Sequence, residues 1–210
     1  VEACLYCNRN FIQTITDGDN KFIRPELDHY LPKADYPLLL LSFYNLIPSC
    51  HVCNSNLKLK QDFKLKENFH PYLGSFDDYK TYFTYKPTTP KAFFRPKDKN
   101  LEIKLDTRKS RQMKGRIENN IEVFKLDEIY NYNKSYVSEL QKIKRLSNEK
   151  YLEWIRTKVF VDGLGKPKVA TNEEVYELVM INYYKPEDYV KRPMAKFIKD
   201  LSVELKIIKR

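Results

Sequence analysis

The chain has 210 residues, of which 42% are hydrophobic and 14% aromatic, enough to bury a core and too much for a disordered basic tail. Lys and Arg number 38 against 28 Asp and Glu, and the resulting net charge of +10 points to a polyanionic partner. No apolar run approaches the ~20 residues that cross a bilayer, and the first residues show no basic stretch followed by an apolar one, which argues against membrane spanning and secretion and for a cytoplasmic protein.

In chain order, Val1 stands where an initiator Met would be and reads as a cut end. Cys4-Leu5-Tyr6-Cys7 is the first of two C-x2-C pairs. Phe11 to Ile23 is interrupted by the turn formers Asp17-Gly18-Asp19-Asn20, which predicts a hairpin or a long loop. Leu27-Asp28-His29-Tyr30-Leu31 is a short strand stopped by Pro32. The apolar run Tyr36 to Ile47 predicts a short helix that delivers Asn45, and Asn54 to Lys64 is consistent with another helix. Between them lies the second pair, Cys50 and Cys53. Two pairs at this spacing bring four thiolates within reach of one tetrahedral Zn²⁺. Disulfides are the weaker reading, because intracellular thiols stay reduced. So short a segment has little core of its own, and zinc would contribute folding energy directly.

Residues 67–110 read as extended and turn-rich, with the alternation Tyr82-Phe83-Thr84-Tyr85, prolines at 87 and 90, and the run Leu101 to Leu105. The remainder is helical. Ile117, Ile121 and Phe124 recur at helical spacing, and Ile129, Tyr132, Tyr136, Leu140 and Ile143 follow a cap expected at Asp127. Thr171 with Glu174 fits a capping box, and Pro186 opens a helix with the stripe Val190, Met194, Phe197, Leu201 and Leu205. The expected class is α+β in three parts: a zinc-stapled segment 1–66, a small β region 67–110, and a helical region 111–210 for DNA or partner binding.

Charge is unevenly shared. In residues 1–60 the bases Arg9, Lys21, Arg24, Lys33, Lys58 and Lys60 balance the acids Glu2, Asp17, Asp19, Glu26, Asp28 and Asp35, so the excess lies downstream. It peaks over 91–116, which includes Arg95, Lys97, Lys99, Arg108, Lys109 and Arg111. Such a stretch is either a footprint for nucleic acid or a solvated lysine-rich surface.

Asp28-His29 precedes Leu31-Pro32-Lys33, and Asn45-Leu46 leads through Pro48-Ser49-Cys50 to Cys53-Asn54. Across about residues 4–64 this pattern resembles the HNH, or ββα-metal, nucleases. More narrowly, the C-x-Y-C start and the C-N-S motif resemble the HNH nucleases that accompany ATPases in bacterial anti-phage systems of the Septu or retron-associated type. The resemblance implies a ββα-metal core that hydrolyses DNA phosphodiester bonds, with Mg²⁺ or Mn²⁺ as the catalytic ion beside structural zinc, and a protein partner such as an ATPase. It implies His29 as general base, which suits an imidazole titrating near ~6.5. Asp28 and Asn54 would hold the metal, Asn45 would pin the loop that orients His29, and Lys58 and Lys60 would touch flanking phosphates. Many family members carry a final His where Asn54 stands, and an amide oxygen moves the preference toward hard ions. Asn56 and His51 stay open as alternatives for that role, and His51 also as a fourth zinc ligand. His70, Trp154 and the tyrosines at helical spacing read as packing residues. The competing function is a zinc-dependent nucleic-acid-binding or scaffold protein without catalysis, which would have no use for Asp28 and His29 together.

Overall fold

A computed structural model describes residues 1–59, 61–90 and 100–208. Strands β1 (Ile15–Asp17) and β2 (Asn20–Ile23) form an antiparallel hairpin across Gly18, whose φ of 56° supplies the left-handed turn. Strand β3 (Glu26–His29) pairs antiparallel with β4 (Leu46–Ser49), with His29 opposite Leu46 and Glu26 opposite Ser49. A π-helical segment, Val52–Lys58, follows directly, closed by the Leu59 N–H donating to the Asn54 carbonyl. Helix was expected from Asn54 to Lys64; it starts earlier and ends at Lys58.

The expected helix over Tyr36 to Ile47 is replaced by two 3-10 turns, Pro37–Leu39 and Phe43–Asn45, that run into β4. Two causes are visible. The leucine run has no surface to bury against, with Leu38 and Leu41 almost fully exposed. The Asn45 side chain also takes backbone groups of Leu31 and Leu39, the kind of competition that keeps Asn out of helix interiors.

Downstream, β5 (Tyr82–Pro87) and β6 (Leu101–Asp106) make an antiparallel ribbon. Six helices follow: α1 (Lys114–Val123), α2 (Leu126–Asn131), α3 (Ser135–Leu146), α4 (Glu149–Lys158), α5 (Asn172–Met180) and α6 (Ala195–Glu204). A two-stranded ribbon has two edges of unpaired backbone. Here side chains from the helices meet both. On β5, Asp200 and Glu204 accept from the Phe83 and Tyr85 N–H groups; on β6, Asp127 and Asn131 accept from Leu105 and Ile103. Asp127 is therefore an edge acceptor in the first turn of α2, and the helix entry falls instead at Lys125, with φ 48°. The expected stripe from Ile129 to Ile143 is split by a break between α2 and α3, and Tyr132 points to solvent. The stripe from Val190 to Leu205 is likewise split: a 3-10 segment Pro186–Lys191 precedes Pro193 and a left-handed Met194, and α6 begins only at Ala195. The Thr171–Glu174 capping box is present in full.

One hydrophobic cluster draws on all three parts of the chain, joining Cys4, Tyr6 and Ile47 to Phe83, Ile103, Phe124, Tyr130, Phe197 and Leu201. Backbone bonds close it: the Glu2 and Ala3 N–H groups donate to the Val190 carbonyl, and Met194 N–H to Asn8. A small second cluster of Ile155, Ala170 and Val175 lies between α4 and α5. No helix among the described residues is long and apolar enough to cross a membrane.

Candidate functional site

The four cysteines converge. Their sulfurs all lie within 4.8 Å of one another and all four residues are buried and unbridged, the soft donor set and closed setting that structural zinc takes. Nitrogen donors point at the sulfurs: Cys50 N–H to Cys4 Sγ at 3.3 Å, Arg9 N–H to Cys7 Sγ at 3.4 Å, and Asn10 Nδ2 to Cys50 Sγ at 3.2 Å. Hydrogen bonding with Cys4, then with Cys53 and Cys7, lowers the Cys50 thiol far below its ordinary range, while hydrogen bonding with Cys4 and Cys50 raises those of Cys7 and Cys53. His51 is exposed and lies outside this group, its Nδ1 2.5 Å from Glu26 Oε1. Zinc held by the two pairs would staple the N-terminal turn to the end of β4.

The residues of the Asp-His pattern gather on the β3–β4 hairpin that this staple anchors. His29, the last residue of β3, places Nε2 3.1 Å from the Leu40 carbonyl. A carbonyl only accepts, so Nε2 carries the proton and Nδ1 is the basic nitrogen. Asn45 is buried and holds the same loop: its Oδ1 accepts from Leu31 N–H at 2.7 Å, and its Nδ2 donates to the Leu31 and Leu39 carbonyls, each at 3.2 Å. The Asn45 carbonyl also accepts from Tyr30 N–H.

Side chains alternate along a strand, so Glu26 and Asp28 share a face of β3. Asp28 Oδ2 accepts from the Tyr6 hydroxyl at 2.5 Å and from Lys58 Nζ at 2.6 Å. Lys58, expected against phosphate, is instead only 3% exposed and also donates to the His29 and Tyr30 carbonyls. Burial lowers its pKa, and the adjoining Asp28 carboxylate opposes that fall. Both contacts to Asp28 fall on one oxygen. Glu26, which sequence reasoning passed over, accepts from Asn54 Nδ2 and the Ser55 hydroxyl, each at 2.9 Å. Burial alone would raise its pKa; the hydrogen bonds from His51, Ser55 and Asn54 outweigh this and leave it lowered. Because a carboxylate only accepts, the Asn54 nitrogen faces Glu26 and its carbonyl oxygen turns away. The repeated acid at two-residue spacing, Glu26-x-Asp28, was the available signal. Asn56 is exposed and faces another cleft, with Asp62 and Asn119.

Asp28, Glu26 and Asn54 carry hard oxygen donors of the type that Mg²⁺ or Mn²⁺ takes, but Lys58 and Tyr6 occupy Asp28 Oδ2, and the group of metal-ligating Cys, His, Asp or Glu side chains found among the described residues is the four cysteines. Of the expected phosphate contacts, Arg108 is exposed and pairs bidentately with Asp106, while Lys109 and Arg111 are exposed. Lys60, Arg95, Lys97 and Lys99 lie outside the described residues.

A protein of Bacillus thuringiensis named Septu protein PtuB is 39% identical to this chain over 51 residues. That stretch covers 24% of this chain and 17% of the Bacillus protein. No protein-family model and no solved structure matches the chain.

Proposed function

We propose that this chain is a metal-dependent HNH endonuclease that hydrolyses phosphodiester bonds in DNA, built on a ββα-metal core. The observation that carries the reading is the held imidazole. Leu40 fixes Nε2–H, Asn45 fixes the loop that supplies Leu40, and Nδ1 is left as the base. His29 Nδ1 takes a proton from water as the water oxygen forms its bond to phosphorus, and the bond from phosphorus to the 3′ oxygen breaks. Asp28 and Asn54 would hold Mg²⁺ or Mn²⁺, whose Lewis acidity stabilises the charge developing on the phosphoryl and departing oxygens. An ion there would compete with Lys58 for Asp28. Glu26 orients the Asn54 amide, and the cysteine cluster holds hairpin and helix in register. The partial similarity to a Septu protein supports a role in anti-phage defence, with an ATPase as partner.

The test is plasmid cleavage with Mg²⁺ or Mn²⁺ by the wild type, His29→Ala and Asn54→Ala. Loss of cleavage in both variants is expected, and equal cleavage by all three proteins removes the assignment. The Asp28–Lys58 pair favours a second reading, a zinc-dependent nucleic-acid-binding or scaffold protein without catalysis. Retention of zinc without any Mn²⁺ binding that Asp28→Asn abolishes would support it.

A further inference from the structure

The loop that holds His29 exposes an unusual surface. From Tyr36 to Ile47 there is no charged residue, yet Phe43 is 71% and Tyr44 69% exposed. Such a patch of large apolar side chains marks a contact site more often than chance exposure. Its rings are ordered among themselves. Phe43 stacks on Tyr72 with centroids 5.5 Å apart and planes 5° from parallel, and Tyr44 stands edge-on to both.

The exposed rings also rest on a fixed base. The Tyr72 hydroxyl donates to the Leu46 carbonyl at 2.9 Å, His70 Nε2–H donates to the Tyr44 carbonyl at 3.0 Å, and Asn45 is locked as described. Leu46 is the cross-strand partner of His29, so the rings adjoin the point where the proposed base works.

We propose that Phe43, backed by Tyr72 and flanked by Tyr44, is a stacking platform for an unpaired base of the strand whose phosphodiester His29 addresses. This rests on the reading of His29 as the nuclease base. A phosphodiester brought to Nδ1 carries its neighbouring bases onto the adjoining surface. Residues 36–47 carry no cation for phosphate, and exposed Phe43 offers a flat ring that continues an existing stack. Base–aromatic stacking is tolerant of sequence, because every base has a π face. In a duplex those faces are covered by neighbouring pairs, so the platform selects a single strand or a base displaced from its stack.

The experiment is fluorescence anisotropy of a labelled single-stranded deoxyoligonucleotide, and of the same sequence as duplex, without added Mg²⁺ or Mn²⁺. Phe43→Ala is expected to weaken single-strand binding about tenfold, with the slope of log affinity against log salt unchanged because no phosphate contact is lost. Phe43→Trp should bind like the wild type, and Phe43→Leu, which keeps the apolar area without the ring, like Phe43→Ala. Wild-type affinity in Phe43→Ala or in Phe43→Leu overturns the proposal, as does an equal loss on the duplex; the patch would then belong to a protein contact. Plasmid cleavage by His29→Ala is read separately. Undiminished cleavage there removes the nuclease reading while the anisotropy series still decides whether Phe43 stacks a base.

Discussion

Asn45 shows how one side chain sets the geometry of another. Its amide takes three backbone groups of the loop between β3 and β4, one of which, the Leu39 carbonyl, also accepts from Ser42 N–H. Asn45→Ala should cost about 1–3 kcal/mol in stability, the usual penalty for buried groups left unpaired. It should also depress cleavage, because the Leu40 carbonyl that orients His29 loses its support. Asn45→Asp should be no milder, since a carboxylate oxygen would then face two carbonyls; chemical denaturation and a cleavage assay check both. His70 offers a pH test. Burial holds its pKa below the ordinary imidazole value, against a hydrogen bond to Tyr44 that raises it, and its Nδ1 accepts from Tyr72 N–H. Protonation of Nδ1 breaks that bond, so the unfolded chain binds the proton first. Stability from this residue is complete above the unfolded value near ~6.5 and is lost as pH falls toward the folded value. Melting temperatures at pH 7.5 and pH 5.5 should fall more for the wild type than for His70→Gln. At this scale residue type and spacing named the cysteines, and the family resemblance singled out Asn45 and His29. Neither gave a sign of the Leu40 carbonyl, since any residue has one, or of the burial of Lys58, which depends on Tyr30 and Phe63 packing around its ammonium.

Among the elements, local chemistry was legible wherever a turn or cap is made by adjacent residues. The β1–β2 turn and the capping box of α5 are of this kind. Elements whose ends depend on distant partners were not. The α2 entry is set by β6, because Asp127 is committed to Leu105 N–H and cannot cap. The segment Val52–Lys58 ends at Leu59, whose φ of 43° and ψ of −116° are costly for a residue with a Cβ. Leu59 is exposed, so its side chain has little packing to lose. Leu59→Gly should therefore stabilise the protein by on the order of 1 kcal/mol, read as an upward shift in denaturation midpoint.

For the whole molecule, the common core would make zinc held by the four cysteines more than a local staple. Tyr130 donates to the Cys7 carbonyl and packs against Phe83 and Phe197, so the cysteine turn, the ribbon and α6 share one cluster. Removal of zinc by a chelator should lower a single cooperative melting transition rather than leave the helices intact. Residues 1–66 expressed alone with zinc should fail to give that transition, because Tyr6 and Phe63 lose Phe124. A separate high-temperature transition in the chelated protein would contradict this. The sequence by itself determined the two cysteine pairs and the placement of the +10 charge beyond residue 60, because covalent spacing and residue type carry that information directly, whereas Asp28, His29, Asn45 and Asn54 were singled out by a family resemblance. Only the tertiary structure decided that Asp28 meets Lys58 and Tyr6, that Glu26 turns the Asn54 amide, and that the first ten residues close against residues 189–196. Those contacts join residues far apart in the chain, and their geometry follows from how the core packs rather than from any neighbouring sequence.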